Sequence, residues 1–186
     1  MEANYLIEML SNSKGANSLA IINQKQQANS IKYSIEKILV KNPLILISMT
    51  HGAEEVISLT ENKEKLFVID VFSKETKSNN QNKNIIYISN PSNLTSIQIA
   101  IDKALKKFPD ATILFDSLGV LSIYSNEKLF QKFIYLFNNK MNLNGKSVLF
   151  FAIKGTMDDE ILSTIKQFCD KTYDFSDLYI SSVELA

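Results

Sequence analysis

Short runs of consecutive apolar residues recur along the chain and alternate with stretches whose apolar positions fall at helical spacing. Ser18–Asn23 (Ser-Leu-Ala-Ile-Ile-Asn) is the first run. It predicts a strand, followed by a polar stretch over 24–29 and a helix carrying Ile31, Ile35, Ile38 and Leu39 on one face, with Lys32 and Lys37 facing out. Leu44–Met49 predicts a second strand, broken at Thr50-His51-Gly52, and Ala53–Leu59 a short helix. Leu66–Phe72 predicts a third strand and Ile85–Ser89 a fourth, joined by a polar surface loop over 73–84. Leu94, Ile97, Ile101, Ala104, Leu105 and Phe108 then mark an amphipathic helix that stops before Pro109.

The same alternation runs to the end. Ala111–Asp116 predicts a strand that ends on an acid. Ser125 or Asn126 can cap a long helix to about Asn142, in which Leu129, Phe130, Phe133, Ile134, Leu136 and Phe137 leave little polar surface. Gly145 breaks it before the strand Ser147–Ile153. Met157-Asp-Asp-Glu opens a last helix with acids where the helix dipole favours them, Tyr173–Phe175 predicts a final strand, and 176–186 is a polar tail. Strands that are apolar throughout, and separated by helices, are buried on both faces. That predicts a single three-layer α/β domain over 1–186 with a mostly parallel sheet, 1–17 forming an N-terminal helix and approach.

Composition narrows the function classes. The 186 residues carry 20 basic and 20 acidic groups, so net charge gives no argument for nucleic acid or an anionic membrane. Every basic residue is lysine, which excludes an arginine finger or a bidentate guanidinium clamp from this chain. One cysteine and one histidine exclude a disulfide framework and a multi-histidine metal site. The acidic segment Met1–Leu10 does not read as a secretory signal, and the apolar runs are strand-length. These features predict a cytoplasmic protein.

The strand-loop-helix over 18–40 is where a phosphate-binding loop would stand. Such a loop needs glycines so that backbone N–H groups can wrap a phosphate, a lysine for charge, and a Ser/Thr hydroxyl for magnesium. Here the eight positions read Asn23-Gln24-Lys25-Gln26-Gln27-Ala28-Asn29-Ser30. Asn23 and Ala28 stand at the glycine positions, Asn29 at the lysine, and only Ser30 fits. Losing a charge-assisted contact of about 1.5–3 kcal/mol weakens triphosphate binding by an order of magnitude or more. Lys25 could reach back only from a loop position where a solvated side chain is the ordinary reading.

The order of segments nevertheless resembles the RecA-like ATPase superfamily, in its KaiC/RadA-type branch. Leu6-Ile-Glu-Met-Leu10 with Lys14-Gly15 is similar to the short helix and approach before that family's first core strand. Ala111–Ser117 (Ala-Thr-Ile-Leu-Phe-Asp-Ser) is similar to its Walker B strand, and Asp116–Leu121, Val148–Ile153 and Gln167-Phe-Cys-Asp170 continue the likeness. In particular the chain resembles small archaeal KaiC-like proteins that have lost the ATPase motifs.

The resemblance implies a P-loop NTPase fold with Ser147–Ile153 lying between the strands of Ser18 and Ala111. It places the magnesium-coordinating acid on Asp116, the Walker A hydroxyl on Ser30, and the catalytic glutamate on Thr50-His51, where neither side chain is a carboxylate base. The vestigial nucleotide site is therefore Asn23, Lys25, Ala28, Asn29, Ser30, Asp116 and Ser117, with Thr50 and His51 as crevice contacts. No catalytic residue and no metal are expected, apart from Asp116 should magnesium bind.

The implied function is a non-catalytic pseudo-ATPase, a protein-binding or signal-transduction module without cofactor. Its partner would be a protein, such as a RecA-type relative or a second copy. Two alternatives stand beside it. One is a nucleotide-binding protein or slow ATPase using ATP and magnesium in altered geometry; the other is a recombination accessory protein related to the RadA paralogues. Charge balance argues against direct nucleic-acid binding in the latter. Each singled-out residue also has a plainer reading: Asp116 and Ser117 as turn-stabilising side chains, His51 as a structural histidine, and Cys169 as a packed thiol inside the last helix. The aromatic-rich long helix reads as core or an oligomer face rather than a base-stacking platform.

Overall fold

A computed structural model describes residues 15–73 and 83–177. The expectations for an N-terminal helix at Leu6–Leu10, for most of the 73–84 loop and for most of the 176–186 tail fall outside those residues.

Seven strands pair in parallel in the order β4-β3-β2-β5-β6-β1-β7. They are β1 (Asn17–Ile22), β2 (Leu44–Ser48), β3 (Leu66–Asp70), β4 (Ile85–Tyr87), β5 (Thr112–Phe115), β6 (Val148–Ile153) and β7 (Lys171–Asp174). The helices are α1 (Gln27–Lys41), α2 (Ala53–Ser58), α3 (Leu94–Lys107), α4 (Leu118–Tyr124), α5 (Glu127–Leu143) and α6 (Asp159–Phe168). β6 lies between β1 and β5, as the resemblance requires.

The layering follows from the handedness of parallel crossovers. From β1 the chain steps in one direction along the sheet through β2 and β3 to β4, which puts α1 and α2 on one face. It then returns through β5 and β6 to β7, and the same right-handed rule puts α3, α4, α5 and α6 on the other. Alternating side chains serve both layers. In β1, Leu19 and Ile21 pack under the second layer, and Ala20 and Ile22 under the first. The larger core holds Phe115, Phe137 and Phe150 in edge and tilted ring contacts.

Several element bounds differ from the sequence reading by one or two residues, as in β7, which spans Lys171–Asp174 rather than Tyr173–Phe175, and two differences change what an element is. Leu118–Tyr124 forms a helix that the apolar run after Asp116 did not announce. α6 ends at Phe168, so Cys169 is the residue that closes the helix rather than one inside it.

Gly119 shows why α4 sits where it does. A Cβ there would lie 2.3 Å from Thr156 Oγ1 and 3.0 Å from Thr156 Cβ, so the helix can approach the loop after β6 only without a side chain. Thr156 is itself held by its hydroxyl donating to the Ile153 carbonyl at 2.8 Å. In an open helix, Gly→Ala stabilises by about 1 kcal/mol. Here the clash outweighs that gain, and Gly119→Ala is expected to melt several degrees lower, a net loss of about 1–2 kcal/mol. Thermal denaturation checks it, and adding Thr156→Gly should restore most of the loss. A Gly119→Ala protein as stable as the parent would refute the close approach.

Candidate functional site

The carboxyl ends of the strands at the switch between β1 and β2, where β5 and β6 are inserted, form the edge at which open α/β sheets carry their sites. The loop after β1 is built from its own side chains. Gln24–Gln26 is a single 3₁₀ turn capped by Asn23. The Asn23 Oδ1 accepts from the Gln26 N–H at 3.1 Å, while Gln26 Oε1 accepts from the Asn23 N–H at 2.9 Å. This reciprocal box occupies two backbone donors that a phosphate-wrapping loop leaves open. The Gln27 N–H is also taken, by the Gln24 carbonyl. The turn is anchored sideways, with Asn23 Nδ2 donating to the Ser176 carbonyl at 3.1 Å and Gln26 Nε2 to the Phe175 carbonyl at 3.3 Å.

The remaining loop positions do not converge. Lys25, Ala28 and Asn29 are exposed on the outside of the turn and the first turn of α1. Ser30 is buried, and its hydroxyl has no hydrogen-bond partner among the described residues. Gln27, not singled out in the sequence, connects loop to crevice through its Nε2, 3.5 Å from Thr50 Oγ1.

Asp116 follows β5 and is buried. Its Oδ1 accepts from the Met49 N–H at 2.9 Å. Its Oδ2 accepts from the Thr50 N–H at 3.2 Å, the Thr50 hydroxyl at 2.7 Å and the Ser48 hydroxyl at 3.3 Å. Burial pushes this carboxyl above the ordinary aspartate range, against the opposing pull of the Thr50, Met49 and His51 contacts. Ser117, next in sequence, caps α4 by accepting from the Val120 N–H at 3.4 Å.

A second buried carboxylate, Asp70, closes the other side, and the sequence reading passed over it. Its Oδ2 accepts from the Ala53 N–H at 2.8 Å and the Ser73 hydroxyl at 2.9 Å, and its Oδ1 from the Phe72 and Ser73 N–H groups at 2.9 and 2.8 Å. The available signal was a lone acid inside the apolar run Leu66–Phe72, where a carboxylate needs partners to be buried. Because β2 lies between β3 and β5, the two aspartates grip the segment after β2 from both sides. Asp116 holds Met49 and Thr50, and Asp70 holds the start of α2.

His51 sits between these clamps. Its Nδ1 is 2.8 Å from Thr50 Oγ1, and its Nε2 is 3.9 Å from Glu55 Oε1. With the Thr50 hydroxyl proton donated to Asp116, Thr50 Oγ1 is left as an acceptor toward Nδ1. No group of three or more His, Cys, Asp or Glu side chains suited to a metal occurs among the described residues. A triphosphate with magnesium does not fit the groups present. The loop amides at Asn23, Gln26 and Gln27 are occupied, and both Asp116 oxygens already accept hydrogen bonds.

No family model matches the chain, and no curated protein matches it. Among solved structures, it is similar to a KaiC-like protein from the hyperthermophilic archaeon Pyrococcus horikoshii. The TM-score is 0.58 and the identity 12%, over 90% of this chain and 75% of that one. Among the described residues no helix is long and apolar enough to cross a membrane. At that identity the likeness speaks for architecture alone, and together with the position of β6 between β1 and β5 it gives the chain a RecA/KaiC-like three-layer α/β fold.

Proposed function

We propose that the chain is a RecA/KaiC-like domain that does not turn over nucleotide and works as a protein-binding or regulatory module. The observation that carries this reading is the double closure of the would-be nucleotide site. The Asn23–Gln26 box fills the loop, and the donors of Ser48, Met49 and Thr50 fill the Asp116 carboxylate. Thr50 and His51 also stand where a water-activating glutamate would be needed, and neither offers a carboxylate.

Calorimetric titration with ATP and ADP, with and without magnesium, tests the reading. The expected result is no binding up to about a millimolar, a limit near −4 kcal/mol. Saturable, magnesium-dependent binding would sink it. One observation favours that second outcome: among the described residues the buried Ser30 hydroxyl lacks a partner, at the position the resemblance gives to a Walker A hydroxyl. If nucleotide binds, Ser30→Ala should weaken it.

A further inference from the structure

Most of the exposed large apolar side chains lie on the α3–α4–α5 layer: Ile99, Ile123, Tyr124, Leu129, Tyr135, Leu136 and Leu143, against Val40 on the opposite layer. α5 is amphipathic in two directions. Phe130, Ile134, Phe137 and Met141 face the core. Leu129, Leu136 and Leu143, seven residues apart, form a second stripe along the outer side, 61%, 53% and 89% exposed. The stripe is about 21 Å long, the span of several helical turns. Beside it the Lys140 ammonium bridges to Asp102 of α3 at 2.7 Å, which fixes the two helices side by side and brings Ile99 to the same face. Lys128 and Lys132 of α5 and Lys103 and Lys106 of α3 are exposed around it, and none makes an ion pair among the described residues.

We propose that this face binds an amphipathic helix of a partner protein that carries leucine-type residues along one side and acidic residues flanking them. The narrow stripe matches the contact line of one helix laid along another, and the lysines match glutamates at the flanks. A second copy is a poorer occupant. Antiparallel self-pairing about Leu136 would set Lys132 of one copy beside Lys140 of the other, whose own Asp102 partner is already engaged, so it brings no free acid to the exposed lysines. A membrane is poorer still: interfacial helices present a broad apolar face, whereas α5 already buries its broad face in the core. This proposal rests on the reading of the chain as a protein-binding module.

The test is fluorescence anisotropy of a labelled synthetic peptide with leucines at heptad core positions and glutamates at the flanks. The full chain is expected to bind it with a dissociation constant of about 1–50 μM, more weakly as salt is raised. Leu136→Asp should weaken binding at least about tenfold, as truncating a central anchor does, and Lys132→Glu several-fold. Both positions are exposed, so unchanged circular dichroism and melting will show that the variants fold. A lysine-flanked version of the peptide should bind at least about tenfold more weakly.

Equal binding of both peptides, or none up to about a millimolar, overturns the proposal. So does self-association that Leu136→Asp abolishes, or binding to phosphatidylserine vesicles without binding to the peptide. The two readings fail separately. Magnesium-dependent ATP binding would overturn the module reading whatever the peptide does, and a silent peptide titration would overturn this surface whatever the nucleotide does.

Discussion

Replacing Asp116 by alanine is expected to lower the unfolding free energy by about 3 kcal/mol or more, and the melting temperature by roughly 6–12 °C. The cause lies in the groups left behind. Without the carboxylate, the Met49 and Thr50 N–H groups and the Thr50 and Ser48 hydroxyls lose an acceptor, in a place largely shielded from water. Each buried donor stripped of its partner costs about 1–3 kcal/mol, although the Ser48 hydroxyl can fall back on the His51 carbonyl it already reaches at 2.8 Å. A magnesium ligand behaves in the opposite way. Removing it leaves the stability of the ligand-free protein near its starting value and abolishes the extra stability that nucleotide and magnesium confer. Thermal melts of both proteins, with and without magnesium ATP, separate the two roles. A variant that melts within a degree or two of the parent would show that the hydrogen bonds to Asp116 contribute little.

The same network accounts for the two polar groups of Thr50 after β2. Thr50 spends its hydroxyl and amide on Asp116, and Asp70 fixes the first turn of α2 three residues further on. The segment after β2 is therefore held by two aspartates on neighbouring strands. In that arrangement the carboxylates organise backbone, and the chemistry of the site becomes one of shape.

The five inner strands, β1, β2, β3, β5 and β6, were legible because they are buried on both faces and so read as apolar runs, whereas the edge strands β4 and β7 are half-buried or exposed. The order of strands was legible only through resemblance, since periodicity says what an element is and not which element lies beside it. α4 escaped notice because seven residues after a buried strand, one of them glycine, offer too few turns to show a helical period. α5 was read as a helix serving as core or an oligomer face, without its two apolar sides being told apart. Leu129 and Leu136 were counted with Phe130, Ile134 and Phe137, yet a helix with apolar residues on two sides cannot reveal which side is core until its neighbours are placed. That Asn23, Ala28 and Asn29 are not the residues a phosphate-binding loop needs was legible in the sequence. What the loop forms instead was not, because the reciprocal bond between Asn23 and Gln26 depends on a 3₁₀ turn that polar residues alone do not specify. Asp70 lies inside the apolar run Leu66–Phe72 and was passed over because no motif drew attention to it.

Cys169 is expected to react with a disulfide reagent at pH 8 about 30- to 100-fold more slowly in the folded protein than in the unfolded chain. Burial pushes its thiol up to about 12, with Asp170 acting in the same direction and the Asn138 amide, 3.8 Å away, pulling back. About one unfolded thiol in ten is ionised at pH 8, against about one folded thiol in ten thousand. The greater nucleophilicity of a more basic thiolate recovers about 10- to 30-fold of that thousandfold deficit. The same difference gives stability a defined pH dependence. The folded state holds its proton more tightly, so the contribution of Cys169 is fully present below the unfolded thiol value of 9.0 and is lost as pH rises from there towards about 12. Subtracting the stability profile of Cys169→Ala from that of the parent isolates this limb from the lysines and tyrosines that titrate nearby. A difference that stays flat above pH 9, or a folded thiol that reacts as fast as the unfolded one, would show that the helix end opens readily to solvent.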